Sequence, residues 1–308
     1  MKNEYEIIKH NDTNFHIFLV NMLYRTPHMH MDFEILTIIN GMMSVLSSGI
    51  QTVLHTGDIC ILNPLQMHEI KAEFPATVLS LQVPPSFFSV SCPQLEHTEF
   101  LFPFIHRSDN PDESVFIRNI LTDIAYTYFD DEEWGSLKCA SLIDRLFFEL
   151  LKRNGHRLIS EKEHIAGQSR GFRLRKILDY IDRHYSEKLT LHEISDIECL
   201  DLYYMSHLFK EQTGMPFQVY LSKIRCEHAR QQLLLTNDSL LDISIENGFS
   251  DPKYFNNGFK DQYGLTPKEY RKAFGDQKTD SHAGQTLSTQ EIMSDPESLS
   301  LLSSLVTR

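Results

Sequence analysis

Near the N-terminus, His28, His30 and Glu34 are spaced by two and then four residues. On an extended strand alternate side chains share a face, so this spacing turns all three the same way. His68 can join them from a neighbouring strand. Imidazole nitrogens and a carboxylate are donors that suit a first-row transition metal. The same four groups can instead bind a polar ligand, or satisfy one another at the mouth of a pocket. As residues they leave a ligand pocket without a metal and a transition-metal site both open. A second kind of chemistry lies in the C-terminal half. Tyr203, Ser206, His207 and Lys210 share one side of a helical stretch, and Lys253, Asn256, Asn257 and Lys260 share one side of another. Asn pairs bidentately with adenine and Lys reaches guanine or a phosphate, so both sets suit the DNA major groove. Taken singly, each residue fits an ordinary solvated helix face equally well.

The elements that must carry these faces form a repeat. Tyr204, Phe209, Lys210, Gln212, Gly214 and Tyr220 recur 50 residues later as Tyr254, Phe259, Lys260, Gln262, Gly264 and Tyr270. In the first copy, Thr190-Leu191-His192-Glu193 has the form of a capping box that opens a short helix. Asp201 then caps a second helix over 202–213, which Gly214 stops. In the second copy Ser239 and Asp242 start a helix, Gly248 supplies a turn of positive φ, and Asp251-Pro252 starts the next. Helix, tight turn, helix, twice over, is the expectation. One helix over 217–236, about 30 Å long, separates the copies, close to the roughly 34 Å of one turn of B-DNA.

The N-terminal half has short β-rich stretches at 33–39, 42–46, 51–54, 59–62 and 78–83, broken by Gly and Pro, which predict an antiparallel sandwich or barrel. Two helices follow, over 114–129 and 137–153. The second carries an apolar stripe of Leu142, Ile143, Leu146, Phe147, Leu150 and Leu151, wide enough to cover the barrel and also meet a partner helix. Residues 156–171 read as a linker of moderate flexibility. Residues 276–308, rich in Ser, Thr, Asp and Gln, read as a disordered tail.

The net charge of −13 argues against a nucleic-acid binder until it is divided along the chain. Residues 170–275 carry 15 basic and 15 acidic side chains, so the excess acid lies elsewhere. The five cysteines, at 60, 92, 139, 199 and 226, are scattered without a CxxC spacing, so neither a disulfide framework nor a zinc site is indicated. A reducing cytoplasm fits them. There is no basic-then-apolar leader and no apolar run near the ~20 residues of a membrane span, so neither secretion nor membrane insertion is expected.

Residues 172–274 resemble the DNA-binding domain of the AraC/XylS family of bacterial regulators. The resemblance rests on Ile243, Gly248-Phe249-Ser250-Asp251, Tyr254-Phe255, Phe259-Lys260 and Gly264-Leu265-Thr266-Pro267-Lys268-Glu269-Tyr270-Arg271. It implies seven helices and two major-groove contacts. The chain departs from the family in having Ser195 and Ser244 where alanine is usual, and Gly258 on the buried face of the second reading helix. His28-x-His30-x-x-x-Glu34 with Gly41 resembles the first cupin motif, and Gly57-Asp58 through Pro64 to His68 resembles the second. The fold class implied is multidomain α+β. A cupin-like sensing and dimerisation domain over 1–155, a β-barrel with a helical pair, precedes a linker over 156–171, and an all-α domain of two helix-turn-helix units spans 172–275. The function implied is a ligand-responsive, homodimeric, cytoplasmic transcription regulator rather than an enzyme. Its partners would be double-stranded DNA, RNA polymerase and a small-molecule effector. The resemblance leans toward an activator, with carbohydrate-metabolism genes as the first class of target. The alternative is a metal-dependent cupin enzyme fused to a DNA-binding module.

Overall fold

The computed structural model describes residues 14–47, 49–131, 133–274 and 290–306. The first part is a curled antiparallel sheet of β1 (His16–His28), β2 (Phe33–Asn40), β3 (Met42–Ser47), β4 (Ile50–His55), β5 (Ile59–Leu62) and β6 (His68–Val83), with β8 (Phe104–Ile105) beside β5. A small second sheet pairs β7 (Thr98–Phe100) with β9 (His156–Leu158). The curl comes from β6, whose two halves have different neighbours. Its residues 77–83 lie between β1 and β2, while residues 68–71 lie between β1 and β3. Gly41, at φ +92°, makes the tight turn from β2 to β3, where a Cβ would sit 3.2 Å from Ala76 Cα.

Strand alternation sorts the side chains into two cores. Ile17, Leu19, Phe33, Ile35, Leu79 and Leu81 face outward against α1 (Pro111–Phe129) and α2 (Gly135–Arg153), meeting Ile117, Leu121, Ile143, Leu146, Phe147 and Leu150. Val20, Met22, Leu36, Ile38, Val45, Leu54, Cys60 and Val78 turn inward. Burying such side chains is worth about 1.5–3 kcal/mol each. β2, β3, β4 and β5 match the predicted stretches within a residue at each end. β1 was not foreseen, and the predicted 78–83 strand is only the second half of β6. Arg25 and Pro27 in β1, and Lys71, Glu73 and Pro75 in β6, interrupt the apolar alternation that marks a strand.

Residues 161–274 form seven helices: α3 (Glu161–His184), α4 (Leu191–Ile197), α5 (Leu202–Thr213), α6 (Phe217–Leu235), α7 (Leu240–Glu246), α8 (Pro252–Tyr263) and α9 (Pro267–Phe274). The flexible linker expected over 156–171 is corrected: its residues form β9 and the first turns of α3. Ser160 and Glu163 close a capping box at the start of that helix, and this outweighs the weak helix propensity of Gly167. Gly258 allows α8 to approach α6, since a Cβ there would lie 2.7 Å from Ser222 Oγ.

The disordered tail is also corrected. Residues 275–289 lie outside the described residues, but β10 (Gln290–Ile292) adds to the free edge of β1 and α10 (Asp295–Val306) packs beside α1 with Leu302 fully buried. Ser294, bonded to Glu297 through its hydroxyl and backbone N–H, opens that helix. The apolar stretch over 299–306 is visible in the sequence as able to dock, but the polar composition of the whole segment outweighed it and nothing local names its partner.

Candidate ligand pocket and nucleic-acid interface

The inward face of the sheet closes one side of a cavity of about 1270 Å³, and the other side is built by α3 and α6. His16, Phe18, Val20, Arg25 and Gln82 line it from the sheet; Arg175, Asp182, Tyr185, Tyr220, Glu227, His228 and Gln231 line it from the helices. Sequence reasoning placed a pocket inside the barrel and missed the helical wall, because no local pattern reports a contact between distant segments.

At the sheet side the structure brings His30, Glu34 and His68 together, with one donor atom from each inside a span of 4.8 Å. Glu34 shares the inward face of β2 with Leu36 and Ile38 and is buried. His30 Nε2 lies 3.0 Å from Glu34 Oε2, and His68 Nε2 lies 3.3 Å from the same oxygen. Ser80 Oγ and Gln82 Nε2 donate to the other oxygen, Oε1, at 2.7 and 3.1 Å. These two residues follow the same alternation on β6 but lie outside the motif. His28 stands apart from the donor cluster: its ring packs against that of His68, with centroids 4.1 Å apart. Burial pushes the His28 pKa well down, helped by His68 and Arg25. For His30, burial works downward but the Glu34 carboxylate wins and raises it. For Glu34, burial works upward, yet His30 and His68 hold the carboxyl well below its ordinary range.

The two reading helices repeat each other closely. Asp201 accepts hydrogen bonds from Tyr203 N and Tyr204 N at the start of α5, and Asp251 accepts one from Lys253 N at the start of α8. Gly214 and Gly264 end them at φ +74° and +77°. Met205, Leu208 and Phe209, and Phe255 and Phe259, are buried. Tyr203, Ser206, His207, Lys210, Lys253, Asn256, Asn257 and Lys260 are all exposed. His207 has Glu211 3.9 Å away. Arg173 of α3 donates to the Tyr204 hydroxyl at 3.3 Å, a brace the sequence reading did not include. All five cysteines are free thiols, and burial pushes Cys139 up to about 11 and Cys226 up to about 12, so neither is a ready nucleophile. No helix among the described residues is long and apolar enough to cross a membrane.

A curled sheet closing a cavity, joined to two helix-turn-helix units with exposed reading faces, is the arrangement of a ligand-binding domain joined to a DNA-binding one. Models of known families match both parts: the AraC-like ligand binding domain over residues 21–124 and a helix-turn-helix domain over residues 194–273. In both parts the chain resembles regulators of the AraC type. An uncharacterised HTH-type transcriptional regulator of Staphylococcus aureus is 24% identical over 234 residues, which is 76% of this chain and 30% of that protein. The regulatory protein PocR of Salmonella typhimurium is 31% identical over 128 residues, 42% of each chain. The chain thus spans less than half the length of either relative. Among solved structures, the C-terminal domain of AraT, a response regulator from Geobacillus stearothermophilus, is 30% identical, covering 37% of this chain and 95% of that one, with a TM-score of 0.34.

Proposed function

We propose that this protein is a cytoplasmic transcription regulator, not an enzyme, that binds a specific DNA site through α5 and α8 and responds to a small molecule held in the cavity. The observation that carries the reading is the cavity's double wall. A ligand there touches both the sensing sheet and the helices α3 and α6 that support the reading heads. Its binding free energy therefore depends on how sheet and helices are arranged, which is the condition for a ligand to shift that arrangement. Tyr203, Ser206, His207 and Lys210, with Lys253, Asn256, Asn257 and Lys260, are the DNA-contacting set; His28, His30, Glu34 and His68 line the effector site. A homodimer through α2 fits the exposure of Leu137 and Phe148 on that helix, and two modest DNA-binding surfaces on one assembly gain by effective concentration. Activation by contact with RNA polymerase is the version of this reading that the family resemblance favours.

The experiment is selection of genomic fragments with purified protein at defined salt, followed by binding assays on variants. A site with two conserved segments one helical turn apart is expected. Lys210→Ala and Lys260→Ala should weaken binding to all DNA and lower the salt slope by about 1 each. Asn256→Ala should cost about 1–3 kcal/mol on the selected site and relax its base preference. Variants that bind selected and random DNA like the parent would remove α5 and α8 from the interface.

A further inference from the structure

The cations of α3 bear on how far the nucleic-acid interface extends. From Arg170 to Lys176 the chain reads Arg-Gly-Phe-Arg-Leu-Arg-Lys, four cations and no acid in seven residues, within a protein of net charge −13. Arg170, Arg173 and Lys176 are three residues apart on the helix, so each neighbours the next over about 9 Å of rise. Arg170 and Lys176 are exposed and Arg173 is half-buried. Arg153, Arg157, Lys223 and Arg230 pair with Glu149, Glu99, Glu69 and Glu227, whereas among the described residues none of these three pairs with a carboxylate. Their position suits them to a different anion. Arg173 Nη1 donates to the Tyr204 hydroxyl at 3.3 Å, and Tyr204 stands in the first turn of α5. That end of a reading helix enters the major groove, whose edges are rows of phosphates. A guanidinium has five N–H donors in a planar fork, and Arg173 spends one on a neutral hydroxyl. The rest suit the paired oxygens of a phosphate. One turn further on, Lys176 Nζ lies over the Phe172 ring, 5.3 Å from its centroid.

We propose that Arg170, Arg173 and Lys176 of α3 form a third DNA contact, a clamp on the phosphate backbone that flanks the groove read by α5. It deepens the DNA-binding reading and rests on the placement of α5 in the major groove. Phosphate contacts fix register and orientation and carry no base information, so the clamp adds affinity to every sequence alike. It also makes the two reading heads unequal, since α3 stands beside the first unit. The other flank of the same stretch, with Gln168, Gly171, Phe172 and Arg175, lines the cavity. One helix thus meets both the effector and the DNA backbone, and Phe172, a cavity wall, carries Lys176 over its ring.

The test measures binding of the full chain to the selected duplex and to random duplex over a range of salt. Each phosphate contact contributes about 0.9 to the slope of log affinity against log salt, so the combined Arg170→Ala, Arg173→Ala and Lys176→Ala variant should lower it by about 2–3 on both duplexes. Alanine favours helix at such positions, and circular dichroism checks that the variant is folded. Arg173→Lys keeps the charge and should keep the slope. Tyr204→Phe removes the hydroxyl that Arg173 braces and should also keep it. Ethylation of single phosphates should interfere with the parent in the backbone beside one conserved segment only, and that interference should vanish in the combined variant. A loss in Tyr204→Phe equal to that in Arg173→Ala, or an interference pattern unchanged by the combined variant, would reduce the three cations to a structural role and overturn the clamp. A parental slope in the combined variant, beside lowered slopes in Lys210→Ala and Lys260→Ala, overturns the clamp and leaves the regulator reading standing. Parental slopes in all of them overturn both.

Discussion

Cys199 and Gly248 occupy the same turn in the two repeats. Each follows a helix C-cap, Glu198 or Asn247, and each has positive φ, +52° and +77°. A residue with a side chain is strained by roughly 1–2 kcal/mol in that conformation. The environments differ more than the angles. A Cβ on Gly248 would lie 2.6 Å from Ser186 O and 2.8 Å from its carbonyl carbon, so the α7–α8 turn sits directly on the chain that follows α3. Cys199 is exposed and carries its side chain into solvent. Gly248→Ala should therefore cost about 2 kcal/mol or more. Cys199→Gly should change stability by no more than about 1 kcal/mol, because relief of strain is offset by the greater freedom of glycine in the unfolded chain. Urea unfolding of both variants measures the contrast, and equal effects would mean that the Ser186 contact does not decide the residue at 248.

The strand and helix at 290–306 show how an element that looks optional from sequence can complete a core. β10 pairs with β1 through Val20–Ile292, Asn21–Glu291 and Met22–Gln290, and Met293 N donates to Leu19 O at 2.9 Å. Gln290 also reaches the cavity wall. Ending the chain after residue 289 should expose the β1 edge and the surface that Leu302 covers. The expected cost is about 2–3 kcal/mol from the lost apolar burial, seen as a lower melting midpoint, together with concentration-dependent association through the open edge. Unchanged melting and monodisperse scattering would show that the segment adds nothing to the sheet. Local chemistry explains which elements could be foreseen. The Thr190, Asp201, Ser239 and Asp251 caps and the Gly214 and Gly264 stops act within one turn of chain, so their helices were readable almost to the residue. β1, the first half of β6 and α10 depend on partners far away in sequence, and their own residues are mixed. The Ser160–Glu163 box was a readable signal, masked by the glycines at 155 and 167. At the pocket, the single strand expected to carry His28, His30 and Glu34 is corrected: His28 ends β1, His30 lies in the loop that follows and Glu34 is on β2, so the turn between the strands and not alternation brings His30 to Glu34. Nor does alternation foretell that the His28 ring, across the Arg25–His28 register shift, packs at a tilt against that of His68.

At the scale of the molecule, an apolar seam and a polar chain join sheet and reading heads, beside the hydrogen bond from the Tyr220 hydroxyl to Pro27 O. Met29, Leu46 and Met67 of the sheet side enter the core formed by Leu174, Met205, Phe209, Tyr220 and Leu221 of the first helix-turn-helix unit. The polar chain runs from Lys223 Nζ to Glu69 Oε1 at 2.6 Å, and Tyr24 donates to the same oxygen at 2.8 Å. The Tyr24 ring then meets Tyr263 edge-on with centroids 5.7 Å apart, and the Tyr263 hydroxyl donates to Glu227, which pairs with Arg230. Burial, with Glu69 beside Tyr24 and Glu227 beside Tyr263, pushes both phenols above their ordinary pKa, so both remain donors at neutral pH. Glu69 is buried in the sheet, whereas Lys223 comes from α6, and its side chain is 24% exposed. Lys223→Ala leaves the Glu69 carboxylate with the Tyr24 hydroxyl and the more distant charge of Lys71, and a buried charge that loses its nearest cation disfavours the closed arrangement. The seam should then open more often. Small-angle scattering of the ligand-free variant should give a larger radius of gyration than the parent, while the intact faces of α5 and α8 keep affinity for random DNA unchanged. The effector response should shrink, because a ligand shifts an equilibrium only through its preference for one arrangement, and coupling of this kind spans about 5–150-fold in affinity. A parental radius together with a parental effector response would mean that the Lys223–Glu69 pair only decorates the seam, and that the apolar contacts at Met67 and Tyr220 hold sensor and reader together by themselves.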